Sequence, residues 1–259
     1  MTEMILASIS PAILIVLYYF VRDSFQEPFR IVFITFVLSF LSVIPIVIVN
    51  IFLDNYGNTL QISDFSLLLY TNLFRAGFHE ELYKFLILVY FCSRHTQFNE
   101  PMDAVVYGVA ASLGFSAFEN IEYVLSHNDF GMTWGAMATI RIIPTLMHGI
   151  NGIIMGLLLS KVLFGKSDHK RLIFAFLIPV FIHGFYNQMF YYQEIVSYLI
   201  LIVAIIYGTR QVGKLRAAQL NKFEEDQYKE NVNGKIVLES IFFTLVFVGI
   251  TIYLSSLFL

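Results

Sequence analysis

Charge and cysteine are what this chain has least of. Only 14% of its 259 residues are Asp, Glu, Lys or Arg, against roughly a quarter in soluble globular domains. With 16 Lys+Arg against 19 Asp+Glu and a net charge of -3, no basic surface is left for nucleic acid. The single cysteine, Cys92, excludes a disulfide framework and a thiolate zinc site within one chain. There is no glycine-rich phosphate loop, no repeat of fixed period and no low-complexity tract. The N-terminus lacks a basic n-region and a small-residue cleavage site, so the first apolar run is expected to stay as an anchor.

What fills the chain instead is hydrocarbon. Hydrophobic residues make up 58% of it and the mean hydropathy is +0.72, which a water-soluble fold does not tolerate. Lipid offers the backbone no hydrogen-bond partner, so a span must be a helix of about 20 mostly apolar residues or a strand of a closed barrel. The runs are continuous and too long for barrel strands of about ten residues. Eight stand out, at roughly 4–21, 29–53, 65–93, 103–125, 132–160, 171–191, 194–210 and 236–259. The expected fold is all-α: one polytopic membrane domain over 1–259. It divides into two N-terminal spans (1–64), a core of spans three to six (65–191) and two C-terminal spans with a polar linker at 211–235.

Positive charge fits this count. Cytoplasmic loops collect Lys and Arg, and all but three of the 16 lie in alternate loops. These are Arg22 and Arg30; Arg94; Lys161, Lys166, Lys170 and Arg171; and Arg210, Lys214, Arg216, Lys222, Lys229 and Lys235. Both termini are therefore expected outside the cytoplasm. The run from Lys222 to Glu230 reads as a solvated stretch of the last cytoplasmic loop.

The exceptions, Arg75, Lys84 and Arg141, sit inside spans, and they are not alone there. Each ionisable group at the centre of a membrane helix costs about 2.5–3.5 kcal/mol or more unless paired or hydrated. Span three carries Arg75, His79, Glu80, Glu81 and Lys84; span four carries Glu119 and Glu122; span five carries Arg141 and His148; span six carries His183 and Asn187. Spans one, two and seven carry none away from their ends. At 1.5 Å per residue, Glu80, Glu81, Glu119, His148 and His183 lie about 18–24 Å from the cytoplasmic ends of their spans, a common level although the helices alternate in direction.

The faces agree with the depths. Gly77, Glu80, Glu81 and Lys84 share one arc of span three, with Lys84 a turn from Glu80 and able to neutralise a carboxylate. Arg75 and His79 point the other way, where pairing with a neighbouring helix is expected. Gly108, Ser112, Ser116, Glu119 and Glu122 share a face of small residues that lets another helix approach closely. Glu122 is placed to pair with Arg141. Pro144 is expected to bend span five beside His148. Converging carboxylates and imidazoles hold a divalent cation such as zinc with a position open for water, or hold and deprotonate that water without a metal. The same groups also suit a proton- or cation-coupled transporter.

Taken in order, Glu80-Glu81-Leu82-Tyr83-Lys84, Phe115-Ser-Ala-Phe-Glu119, His148 with Gly156 beyond it, and His183-Gly-Phe-Tyr-Asn187 resemble the motifs of the PrsW family of intramembrane proteases. That family belongs to a wider group that includes the CAAX prenyl endopeptidases. The resemblance covers about residues 65–191 and leaves span eight and its linker unexplained. It implies proteolysis of a single-span membrane substrate in a bacterial plasma membrane, with an anti-sigma factor as the substrate type. Carried onto this chain, it makes Glu80 and Glu81 the catalytic pair, one of them the general base. Glu119, His148 and His183 would bind a metal or fix the water directly, Asn187 would stabilise the oxyanion, and Lys84, Arg141 and Glu122 would support the site. Zinc and metal-free schemes both remain open at this point. A CAAX-type prenyl peptidase would want a site nearer the cytoplasm.

Overall fold

The computed structural model describes residues 1–165, 168–221 and 231–258. Lys166 and the charge run from Lys222 to Glu230 lie outside the described residues. Among the described residues the chain is helical, without a strand. Among the described residues, seven helices are long and apolar enough to cross a membrane by themselves: α1 (Thr2–Arg22), α2 (Phe29–Gly57), α4 (Pro101–Leu125), α5 (Trp134–Leu163), α6 (Leu172–Tyr192), α7 (Glu194–Asn221) and α8 (Gly234–Phe258). The expected third span is α3, residues 64–92, continuous helical backbone in four pieces. Asp64–Leu69 and His79–Leu86 are α-helical, whereas Tyr70–Phe78 and Ile87–Cys92 are π-helical. Buried polar residues make α3 less apolar than the others, and π-turns inside helices are frequent at functional sites.

The ends are set by local chemistry. The α4 start carries a reciprocal capping box between Glu100 and Asp103, with Pro101 at the first helical position. Ser63 and Thr133 accept backbone N–H groups at the starts of α3 and α5. The bend expected beside Pro144 falls at Arg141, between the helical pieces Trp134–Ile140 and Ile142–Leu163. Pro144 lacks an N–H, and its ring crowds the carbonyl four residues earlier. The helix therefore restarts with Pro144 inside its first turn, and the break falls on the arginine.

Burial identifies the centre of the bundle. The most apolar stretch of α4 is 83% buried inside the protein, against 22% for α1, α7 and α8, whose apolar faces are left for lipid. Backbone contact between α4 and α5 makes this possible. A Cβ on Gly152 would overlap the Gly108 carbonyl, and one on Gly156 would overlap that of Ala104. Small residues at membrane-helix interfaces permit this approach, and packing rather than water expulsion supplies the attraction. The variant Gly152→Ile is accordingly expected to destabilise the protein by about 1–3 kcal/mol or more. Thermal unfolding in detergent checks it, and an unchanged midpoint would contradict this packing.

A second close approach joins α3 to α6. A Cβ on Gly77 would lie 2.8 Å from the Val180 carbonyl, and one on Gly184 would lie 2.8 Å from the Leu73 Cα. Gly184 follows His183 directly, so this contact brings the α6 imidazole onto the polar face of α3.

Candidate active site

Four consecutive helices, α3 to α6, deliver one buried polar cluster. Lys84 and Glu81 are wholly buried and one helical turn apart, with the ammonium donating to Glu81 Oε1 at 2.8 Å. The same oxygen is 3.0 Å from His183 Nδ1 and 3.4 Å from Asn151 Nδ2. Lys84 Nζ also lies 3.1 Å from His148 Nδ1 and 4.3 Å above the centre of the Phe115 ring. A buried ammonium thus finds a carboxylate, an imidazole and an aromatic face, which together offset its desolvation. The ammonium was expected to neutralise a carboxylate, with Glu80 one turn away. It goes instead to Glu81, whose carboxylate is also held by groups from α5 and α6.

Glu80 is left with a different environment. Its Oε2 is buried without a hydrogen-bond partner among the described residues and faces His183 Nε2 at 3.8 Å. The rings of His148 and His183 stand perpendicular with centres 5.0 Å apart. Glu80, His148 and His183 each offer one donor atom to a group whose members lie within 4.8 Å of one another. The carboxylate in that group is Glu80. Glu119 approaches from the α4 side, with Oε2 3.1 Å from His148 Nε2.

Arg141 closes the cluster. Its Nη2 donates to Glu119 Oε2 at 2.6 Å and its Nε to Asn120 Oδ1 at 2.9 Å. The expected pairing with Glu122 is not formed, and Glu122 is exposed and lines a separate cavity with Glu80. The helix break at Arg141 turns its guanidinium toward Glu119 and Asn120, one turn short of Glu122. The outward-facing polar groups of α3 behave as their positions implied: Arg75 Nε pairs with Asp54 Oδ1 at 2.5 Å, and His79 Nδ1 meets Asn50 Oδ1 at 3.2 Å, both on α2.

Asn187, one turn beyond His183, lines a cavity of about 610 Å³ together with Glu119, Arg141, His148 and His183. A second cavity of about 420 Å³ is lined by Glu80, Glu119 and Glu122. Glu119 borders both, so the cluster lies where two spaces of substrate size meet. Sequence reading passed over Asn120, which fixes Arg141. Its signal was available, since a primary amide inside a buried membrane helix needs a partner.

The donor set suits a metal ion. Two imidazoles with carboxylate oxygens are the ligand types of catalytic zinc sites. The His183 Nδ1 contact to a carboxylate leaves Nε2 as the outward nitrogen, the usual way a ligating histidine is oriented. His148 Nε2 and Glu119 Oε2 stand at hydrogen-bond distance, and a cation can replace the proton shared by such a pair. The unpartnered buried oxygen of Glu80 faces the space between the two imidazoles that such a centre and its water would fill.

Similarity points the same way. Residues 27–209 match the model of the PrsW family of intramembrane metalloproteases. The chain is 28% identical to a protein named Protease PrsW from Bacillus subtilis, over 85% of this chain and 99% of that one. It is 30% identical to the Protease PrsW of Clostridioides difficile, over 71% and 75% of the two chains, and 28% identical to that of Shouchella clausii, over 84% and 98%. No solved structure matches. A multi-pass helical bundle with a buried carboxylate–imidazole centre, matched over most of its length, belongs to the PrsW family of intramembrane metalloproteases.

Proposed function

We propose that this protease uses zinc to cut a single-span, anti-sigma-factor-like membrane protein, with Glu80 as the general base. The observation that carries this reading is the buried Glu80 oxygen, without a partner among the described residues, facing two imidazoles. Glu81 also keeps one buried oxygen without a partner among the described residues, but its Oε1 is held by Lys84, His183 and Asn151, and only Glu80 shares the donor group of His148 and His183. A carboxylate that takes a proton needs a free lone pair directed at the water.

His148, His183 and Glu119 would hold the ion, which when bound lowers the pKa of the attacking water and polarises the scissile carbonyl. Glu80 Oε2 removes the proton of the water as its oxygen attacks the carbonyl carbon. The same oxygen returns that proton to the amide nitrogen as the C–N bond breaks. Asn187, bordering the larger cavity, donates to the carbonyl oxygen as negative charge develops there. Glu81 accepts the His183 Nδ1 proton and fixes that ring, and Lys84 fixes Glu81. Arg141 balances Glu119, and Glu122 supplies polarity to the second cavity. The stretch 65–191, which α3 to α6 occupy almost entirely, forms the catalytic core. The lipid-facing helices on either side, 1–64 and 192–259, wall it off. Both termini lie outside the cytoplasm, which the Lys and Arg distribution supports.

The test is cleavage of a single-span anti-sigma-type substrate by the purified chain in liposomes, with the cut located by mass spectrometry. The wild type is expected to cut in or at the edge of the span. Chelation should abolish the activity and zinc restore it, while His148→Ala and His183→Ala should lose both bound zinc and cleavage. A folded protein that leaves every such substrate intact overturns the substrate assignment, and full activity at zero metal content overturns the zinc mechanism.

A further inference from the structure

A second group of acids lies far from the site above. Asp23 ends α1, Glu100 and Asp103 begin α4, and Gln219 reaches them from α7; all four are buried. Gln219 Nε2 donates to Asp23 Oδ1 at 2.8 Å and to Glu100 Oε1 at 2.5 Å. Asp103 Oδ2 is occupied by the backbone N–H groups of Asn99 and Glu100 at 2.7 and 2.8 Å. Asp23 Oδ1 also accepts the Phe25 N–H. Three further oxygens, Asp23 Oδ2, Asp103 Oδ1 and Gln219 Oε1, are buried with no partner among the described residues.

These facts do not describe a self-sufficient network. Three carboxylates within reach of one another repel, and among the described residues no ion pair reaches Asp23, Glu100 or Asp103. One oxygen of each lies within 4.8 Å of the others. Burial pushes the Glu100 carboxyl up to about 7 and the Asp23 carboxyl upward as well. Removing such groups from water is costly unless a proton or a cation compensates. Gln219, 7% exposed, supplies an observation separate from the acids. It is a neutral side chain from a distant helix, aimed into the cluster, whose carbonyl oxygen has no donor among the described residues. Amide oxygen and nitrogen exchange places by a half-turn, and turning this amide would present Oε1 to the acids.

We propose that Asp23, Glu100, Asp103 and Gln219 bind one hard divalent cation of the calcium, magnesium or manganese class. The donors are oxygen only, which suits these ions and disfavours zinc with its preference for nitrogen and sulfur. Bound there, the ion fastens the α1–α2 turn, the start of α4 and the end of α7 to one another. Asp103 and Glu119 sit at opposite ends of α4, about 24 Å apart along its axis at 1.5 Å per residue. The ion is therefore structural and separate from the proteolytic centre.

The test uses the full chain in detergent, stripped with chelator and titrated with CaCl2, MgCl2 or MnCl2. Tm and metal content after desalting are the readouts. At least one ion is expected to bind at one per chain and, at about 100 times its dissociation constant, to raise Tm by about 5 °C or more. Asp23→Asn and Glu100→Gln should each lower the affinity at least tenfold, and Asp103→Asn more. Glu80→Gln should respond like the wild type, which separates this site from the zinc reading above. The proposal is overturned if none of the three ions binds saturably. It is also overturned if Asp23→Asn and Glu100→Gln respond like the wild type, or if Glu80→Gln alone removes the response.

Discussion

Replacing Glu80 with Gln should reduce cleavage by about 10²–10⁴-fold, the usual contribution of a positioned general base, while bound zinc and Tm stay at the wild-type level. The substitution keeps the shape of the side chain and removes only its ability to take a proton. Glu80 Oε2 has no hydrogen-bond partner among the described residues, so neutralising it breaks no bond that holds the bundle. Other active-site substitutions lack this separation of activity from stability. Metal content read alongside cleavage also decides between two roles, because Glu80 lies in the same 4.8 Å donor group as His148 and His183. Loss of zinc in Glu80→Gln would make Glu80 a ligand in place of Glu119 and refute the base assignment.

Lys84→Met carries the largest expected cost in stability. The ammonium is wholly buried, and its removal strips Glu81 of its closest partner, 2.8 Å away and equally buried. Breaking one side of a buried ion pair costs about 3–5 kcal/mol, because the remaining charge is left in low dielectric. The expected result is a large fall in Tm or failure to accumulate in the membrane. The double variant Lys84→Met/Glu81→Gln should recover part of the loss, since no charge is then stranded. A Lys84→Met protein as stable as wild type would show that the pair is hydrated rather than sealed.

Much of this architecture was readable in the sequence, and the physical reasons are specific. The spans are legible because hydrocarbon demands long apolar helices, and the cluster is legible because ionisable groups there are expensive. What sequence spacing left undecided was which partner each charge takes. Lys84 stands within a turn of both Glu80 and Glu81. The choice falls to Glu81 because His183 and Asn151, from α6 and α5, converge on the same oxygen. Arg141 reaches Glu119 and Asn120 rather than Glu122 because the helix breaks at that residue, a consequence of Pro144 that regular periodicity does not convey. The π-helical stretch before His79 has no signature in composition. The acids at the start of α4 and the end of α1 meet only through the tertiary fold, so their alliance with Gln219 lay beyond any local pattern.

The central claim is that groups from α3 and α6 act on one water as a unit. A double-mutant cycle with Glu80→Gln and His183→Ala, scored by cleavage of a single-span substrate in liposomes, tests it most directly. Residues of one catalytic unit are strongly non-additive, so the double variant should be no slower than the slower single variant. Losses that multiply independently would mean that the two side chains serve separate purposes.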